Sequence, residues 1–154
     1  AGVVVNELYS LAPNFKLLLA YSDSASYSVG KDEFNRLFNE SQSKTLFRYC
    51  PQCASTHKNI FYKRLTDASA FDAYDTMTCN WTSINNGFNN DFELYGSLDD
   101  LMTGNNTWAF CDFPTDHGFP GRCGPLYKTY YQESQFLPTC LNSSYTYKDE
   151  VYWL

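Results

Sequence analysis

The chain is poor in the residues that most enzymes rely on. Two histidines, His57 and His117, occur in 154 residues, which leaves little material for a histidine-based hydrolase. No G-x-S-x-G is present, and no Ser or Cys has a His and an acid in attendance. The eight glycines are dispersed, so no phosphate-binding loop forms. Apolar runs are short. The longest, Leu17 to Tyr21, is strand-sized and far from the roughly 20 residues of a membrane helix. Positive charge is scattered over Lys16, Lys31, Lys58, Lys63, Arg64 and Lys128 in a chain of net charge −6. Nothing there would track a phosphate backbone, so neither nucleic acid nor a membrane span is expected.

Aromatic residues are abundant instead. Thirteen Tyr, 12 Phe and 3 Trp make 18% of the chain, and such rings favour the half-buried surface of a sheet. With 44% hydrophobic and 18% charged residues the balance is globular, and the length suits one domain. The expected organisation is an N-terminal strand segment over 1–12, a hinge at Pro13 and Asn14, and a single domain over 15–154.

Six cysteines, Cys50, Cys53, Cys79, Cys111, Cys123 and Cys140, read as three disulfides with 15 possible pairings. A local Cys111–Cys123 bridge is favoured because Pro114, Gly118, Pro120 and Gly121 make the intervening loop turn-rich. Four N-x-S/T sequons begin at Asn39, Asn80, Asn105 and Asn142, where chance supplies about two. Together these features point to a secreted, extracellular or cell-surface glycoprotein that needs no cofactor beyond covalent N-glycans. A start at Ala1-Gly2-Val3 without an initiator Met fits a product left after signal-peptide removal.

Three constellations could carry chemistry, and each has a plainer reading. Cys50-Pro-Gln-Cys53 resembles a redox dithiol, but the chain leads on into a strand-like run rather than a helix. Ordinary disulfide cysteines are the simpler account. Cys50, Cys53 and His57 supply three zinc ligands without a fourth, and His117 sits in a Pro/Gly loop as a surface turn residue. The carboxylates Asp91, Glu93, Asp99 and Asp100 do not match a calcium loop and read as solvated turns. No metal site and no catalytic residue is expected.

Hydrophobic periodicity predicts a mainly β fold, a sandwich or barrel, with one or two short helices. Tyr21 to Val29 alternates with serines and reads as one half-buried strand. Lys31 opens a short helix with Phe34, Leu37 and Phe38 on one face, ending near Asn39. Further strands are predicted over 45–49, 59–65, 71–78, 91–95, 107–111, 126–131 and 145–153, with one helical turn at 98–102. An Asn85-Asn86-Gly87 turn precedes the 91–95 strand.

The N-terminal segment, with Val3, Val4, Val5, Leu8 and Leu11, is apolar on both faces. It reads either as a strand inside the domain's own sheet or as one donated to a neighbouring copy. A head-to-tail donation of that kind propagates into a fibre.

Between Cys50 and Pro125, five stretches carry a resemblance. They are His57 to Thr66, Phe71 to Asp75, Asp91 to Tyr95, Trp108 to Cys111, and Gly118 to Pro125. These resemble a family of secreted or cell-surface cysteine-rich proteins of unicellular algae and aquatic protists. The chain is also similar to glycoprotein subunits of extracellular filaments. That resemblance implies a structural subunit of a filament, appendage or matrix, with copies of itself as partner and no catalytic residues to carry over. A carbohydrate-binding or adhesive module with glycan partners is the alternative expectation, and a secreted hydrolase the third.

Overall fold

The computed structural model describes residues 15–21, 26–113, 118–128 and 150–154. They build an antiparallel sheet of six strands in the order β2-β1-β6-β3-β4-β5. The strands are β1 (Leu17–Tyr21), β2 (Ser26–Ser28), β3 (Thr45–Tyr49), β4 (Asn59–Arg64), β5 (Phe92–Tyr95) and β6 (Glu150–Trp153). Three α-helices accompany them: α1 (Lys31–Glu40), α2 (Ala73–Thr78) and α3 (Leu98–Thr103), with a 3-10 turn at Ser55–His57.

Both faces of the sheet are covered, which explains why its strands read as nearly continuous apolar runs. On one face Leu18, Leu46, Ile60, Tyr62, Phe92 and Leu94 pack against Phe34 and Phe38 of α1 and Met77 of α2. Trp81, Trp108 and Phe119 complete that core from loops. The opposite face buries Leu17, Ala20, Phe47, Phe61 and Tyr95, with Phe15 and Leu101 of α3 against them. Phe47 and Phe61, paired across β3 and β4, stack at 4.4 Å. A register shift between Leu17 and Leu19 lets adjacent residues of β1 face the same core, so Leu18 and Leu19 both join the first face.

Several expectations change here. The described residues form neither a sandwich nor a barrel; helices and loops rather than a second sheet cover the first face. The predicted strand over 71–78 is helix α2. Asp72 caps it, accepting the Asp75 N–H at 3.0 Å, and this local bond outweighs the aromatic content of the run. The alternating stretch from Tyr21 to Val29 is not one strand, because β1 and β2 pair antiparallel and the chain must reverse between them. The strand expected over 107–111 reduces to an isolated bridge between Phe110 and Gly124, and Leu126 to Lys128 lie outside any strand.

Several buried polar groups are held by specific partners, while Arg64 Nε and Trp81 Nε1 have none among the described residues. The Tyr62 hydroxyl donates to Asn86 Oδ1 at 2.5 Å and accepts from Arg64 at 3.2 Å. Burial pushes the Tyr62 phenol up, so it stays a neutral donor. Arg64 lies over the Phe71 ring at 4.4 Å and reaches the Asp67 carbonyl, a buried cation held without a carboxylate. Burial and the neighbouring Glu93 push Tyr95 up to about 12.

Candidate functional site

A sheet that does not close has two edges, and unpaired edge strands are where another chain can add. The two edges of this sheet differ. Beyond β5, the Asn89 N–H donates to the Phe92 carbonyl at 2.8 Å and the Trp108 N–H to the Leu94 carbonyl at 2.9 Å. Residues 108–110 are in turn tied to 124–125, by Ala109 N–H to Pro125 O and by Phe110 and Gly124 to each other. The Cys111–Cys123 disulfide fastens that strip at its base. The β5 edge is therefore closed.

Among the described residues the β2 edge is open. The Val29 N–H donates to the Leu18 carbonyl, and the register pairs Ala20 with Tyr27 and Leu19 with Ser28. Hydrogen-bonded pairs alternate along an antiparallel ladder, so the backbone groups of Ser26 and Ser28 point away from β1. No described strand lies on that outer side. Tyr27 and Ser28 are exposed, and the Ser28 hydroxyl accepts the Gly30 N–H at 2.9 Å, which fixes the end of the strand. Gly30, at φ +90, turns the chain from this edge directly into α1.

Cys50, Cys53 and Cys123 lie in a buried hub with Arg48 and His57. Cys50 and Cys53 are bonded to each other, Cys79 is also disulfide-bonded, and Cys140 lies outside the described residues. Arg48, on the Leu46 side of β3, donates to the His57 carbonyl at 2.9 Å and the Phe119 carbonyl at 3.3 Å. One of its nitrogens lies 3.8 Å from Cys53 Sγ. The His57 ring is fully buried against Trp108, with Nε2 donating to the Cys123 carbonyl at 2.9 Å and Nδ1 bonded to Thr56. Arg48 and His57 thus join the two disulfide loops, with Arg48, His57, Cys50, Cys53 and Cys123 buried and Cys111 partly so. Sequence reasoning missed this role. The available signal was a lone Arg in the otherwise apolar Leu46-Phe47-Arg48-Tyr49.

Three sequon asparagines lie on the surface. Asn39 is exposed near the end of α1, Asn80 follows Cys79 after α2, and Asn105 follows the left-handed Gly104 that ends α3. Asn142 lies outside the described residues, as do the proposed assembly residues Val3, Val4, Val5, Leu8 and Leu11, the hinge at Pro13 and Asn14, and His117. The carboxylates are not grouped. Asp91 accepts the Gly87 N–H at 2.7 Å and the Thr66 hydroxyl at 2.9 Å, and these bonds hold it below the usual carboxylate range. Glu93 accepts the Tyr95 hydroxyl, while Asp99 and Asp100 sit in the first turn of α3 behind its Ser97 cap. Among the described residues no group of His, Cys, Asp and Glu is arranged to hold a metal, and no helix is long and apolar enough to cross a membrane. Comparison with protein families, with curated proteins and with solved structures gives no match.

Proposed function

We propose that the chain is a secreted, N-glycosylated structural subunit that assembles head to tail, its apolar N-terminal segment adding as a strand to the β2 edge of the next copy. The observation that carries this reading is the asymmetry of the sheet, closed at β5 and, among the described residues, open at β2. An edge of three residues is short. With two outward-facing residues it offers at most four ladder bonds, each contributing about 0.5–1.5 kcal/mol net. Most of the affinity must then come from burying Val3, Val4, Val5, Leu8 and Leu11, each contributing about 1.5–3 kcal/mol. Exposed sequons at Asn39, Asn80 and Asn105 and the disulfide loops suit such a subunit outside the cell.

Deleting residues 1–12 is expected to leave a folded monomer that forms no filaments under negative stain. Ser28→Pro, which removes an outward N–H and obstructs the edge, is expected to block assembly from the acceptor side. Filaments formed unchanged by both variants would sink the reading. A carbohydrate-binding module is the second reading, favoured by Tyr127, three-quarters exposed beside Leu126. Saturable, sugar-competed binding on a glycan array would support it.

A further inference from the structure

Neither the sheet edges nor the disulfide hub uses a groove of about 730 Å³ between α3, Phe15 and the ends of β3 and β4. Its lining is divided. Leu98, Leu101 and Met102, at positions i, i+3 and i+4 of α3, join Phe15 and Leu65 as the apolar wall. No residue of α3 is fully buried: Leu101 leans on the Phe47–Phe61 face of the sheet, while Leu98 is 47% and Met102 77% exposed, so most of this apolar helix face is open to a ligand. The other wall is polar and consists of Gln42, Ser43, Thr45 and Lys63.

Lys63 is the informative residue. Its register partner on β5 is Glu93, but Glu93 accepts the Tyr95 hydroxyl and no ion pair with Lys63 forms. Arg64 also borders the groove, yet its guanidinium is committed to Tyr62, Asp67 and the Phe71 ring. Lys63 is therefore the uncommitted cation of this groove among the described residues. An ammonium at one end of an aliphatic wall complements a ligand with one negative head and an apolar chain. A sugar fits less well. The one aromatic ring present, Phe15, already leans on Phe47 at 6.1 Å and Phe61 at 6.2 Å, and the remaining apolar surface is aliphatic.

We propose that the groove binds a medium-chain alkyl carboxylate, with the chain along Leu98, Leu101 and Met102 and the carboxylate at Lys63, assisted by the Gln42 amide. The test is calorimetric titration of the full chain with sodium decanoate below its micelle concentration, run beside decanol and a chito-oligosaccharide. Decanoate is expected to bind saturably at one site. Lys63→Gln should weaken decanoate about 5- to 10-fold and leave decanol unchanged, since one partly solvated charge pair is removed. Met102→Glu should weaken both, and because Met102 projects into solvent the variant should melt like the parent. Three results would each overturn the proposal: no saturable decanoate binding, equal affinity for decanoate with and without the Lys63 ammonium, or displacement of decanoate by the oligosaccharide. Binding is read on the monomer, so the outcome does not depend on whether filaments form.

Discussion

Replacing Tyr62 by Phe isolates one hydroxyl at the centre of the larger core. The ring stays, with its stacking on Phe92 at 4.9 Å and its near-parallel contact with Phe71 at 6.0 Å. What goes is the oxygen that donates to Asn86 Oδ1 and accepts from Arg64. Asn86 is fully buried and its amide nitrogen already bonds the Thr82 carbonyl, so Oδ1 would keep only the 3.5 Å contact from Arg64. Arg64 would lose a bond while remaining 7% exposed. A hydrogen bond to a charged group contributes about 1.5–3 kcal/mol, and a buried acceptor left without a partner costs about 1–3 kcal/mol. The effects overlap at one oxygen, so the expected loss is about 2–3 kcal/mol. For a chain of this length that is a fall of roughly 5–10 °C in Tm, followed by circular dichroism, with a matching shift in urea midpoint at constant m. A double-mutant cycle with Asn86→Ala should show coupling above about 1 kcal/mol. A Tyr62→Phe variant within about 0.5 kcal/mol of the parent, or additive behaviour in the cycle, would refute the view that these three groups act as a unit.

The two local disulfides should differ in effect. Loop-entropy reasoning gives about 3 kcal/mol for Cys111–Cys123, separated by 12 residues, and about 2 kcal/mol for Cys50–Cys53, separated by 3, measurable by urea unfolding of the paired alanine variants. Loss of the first should also free the strip that closes β5, so aggregation by light scattering should rise for that variant alone. Asp91 should contribute acid sensitivity. Its folded pKa lies below its unfolded one, so its contribution is complete above the ordinary carboxylate pKa and is lost as pH falls through the folded value. Asp91→Asn should therefore flatten the dependence of Tm on pH below about pH 4, and an unchanged acid slope would count against the bonds to Gly87 and Thr66. Protein from a secreting eukaryotic host should show Asn-to-Asp conversion at residues 39, 80 and 105 after enzymatic deglycosylation, read by peptide mass spectrometry; unmodified peptides at all three would remove the glycoprotein reading.

Local pattern alone determined a good deal of this protein. The i, i+3, i+4 spacing of Phe34, Leu37 and Phe38 after Gly30 announced α1, and the apolar runs at 45–49 and 59–64 announced β3 and β4. A turn-rich loop pointed to the Cys111–Cys123 pairing, because short closed loops depend on the residues between their ends. Tertiary structure decided the rest, since it depends on what each segment meets. Residues 73–78 became helix through an Asp72 cap and a packing partner in α1, reinforced by Asn35, which bonds both the Asp72 carboxylate and the Tyr74 N–H. Arg48, His57 and Arg64 are polar letters in the sequence. They became interior groups because carbonyls and rings, from nearby turns for Arg64 and from the 119–123 loop for Arg48 and His57, met their donors in the core. The edges of the sheet were invisible in sequence for a related reason. Whether a strand is open depends on its outer neighbour: β5 is closed by Asn89 just before it and by Trp108, more than a dozen positions further along the chain, while β2 has no described strand beside it.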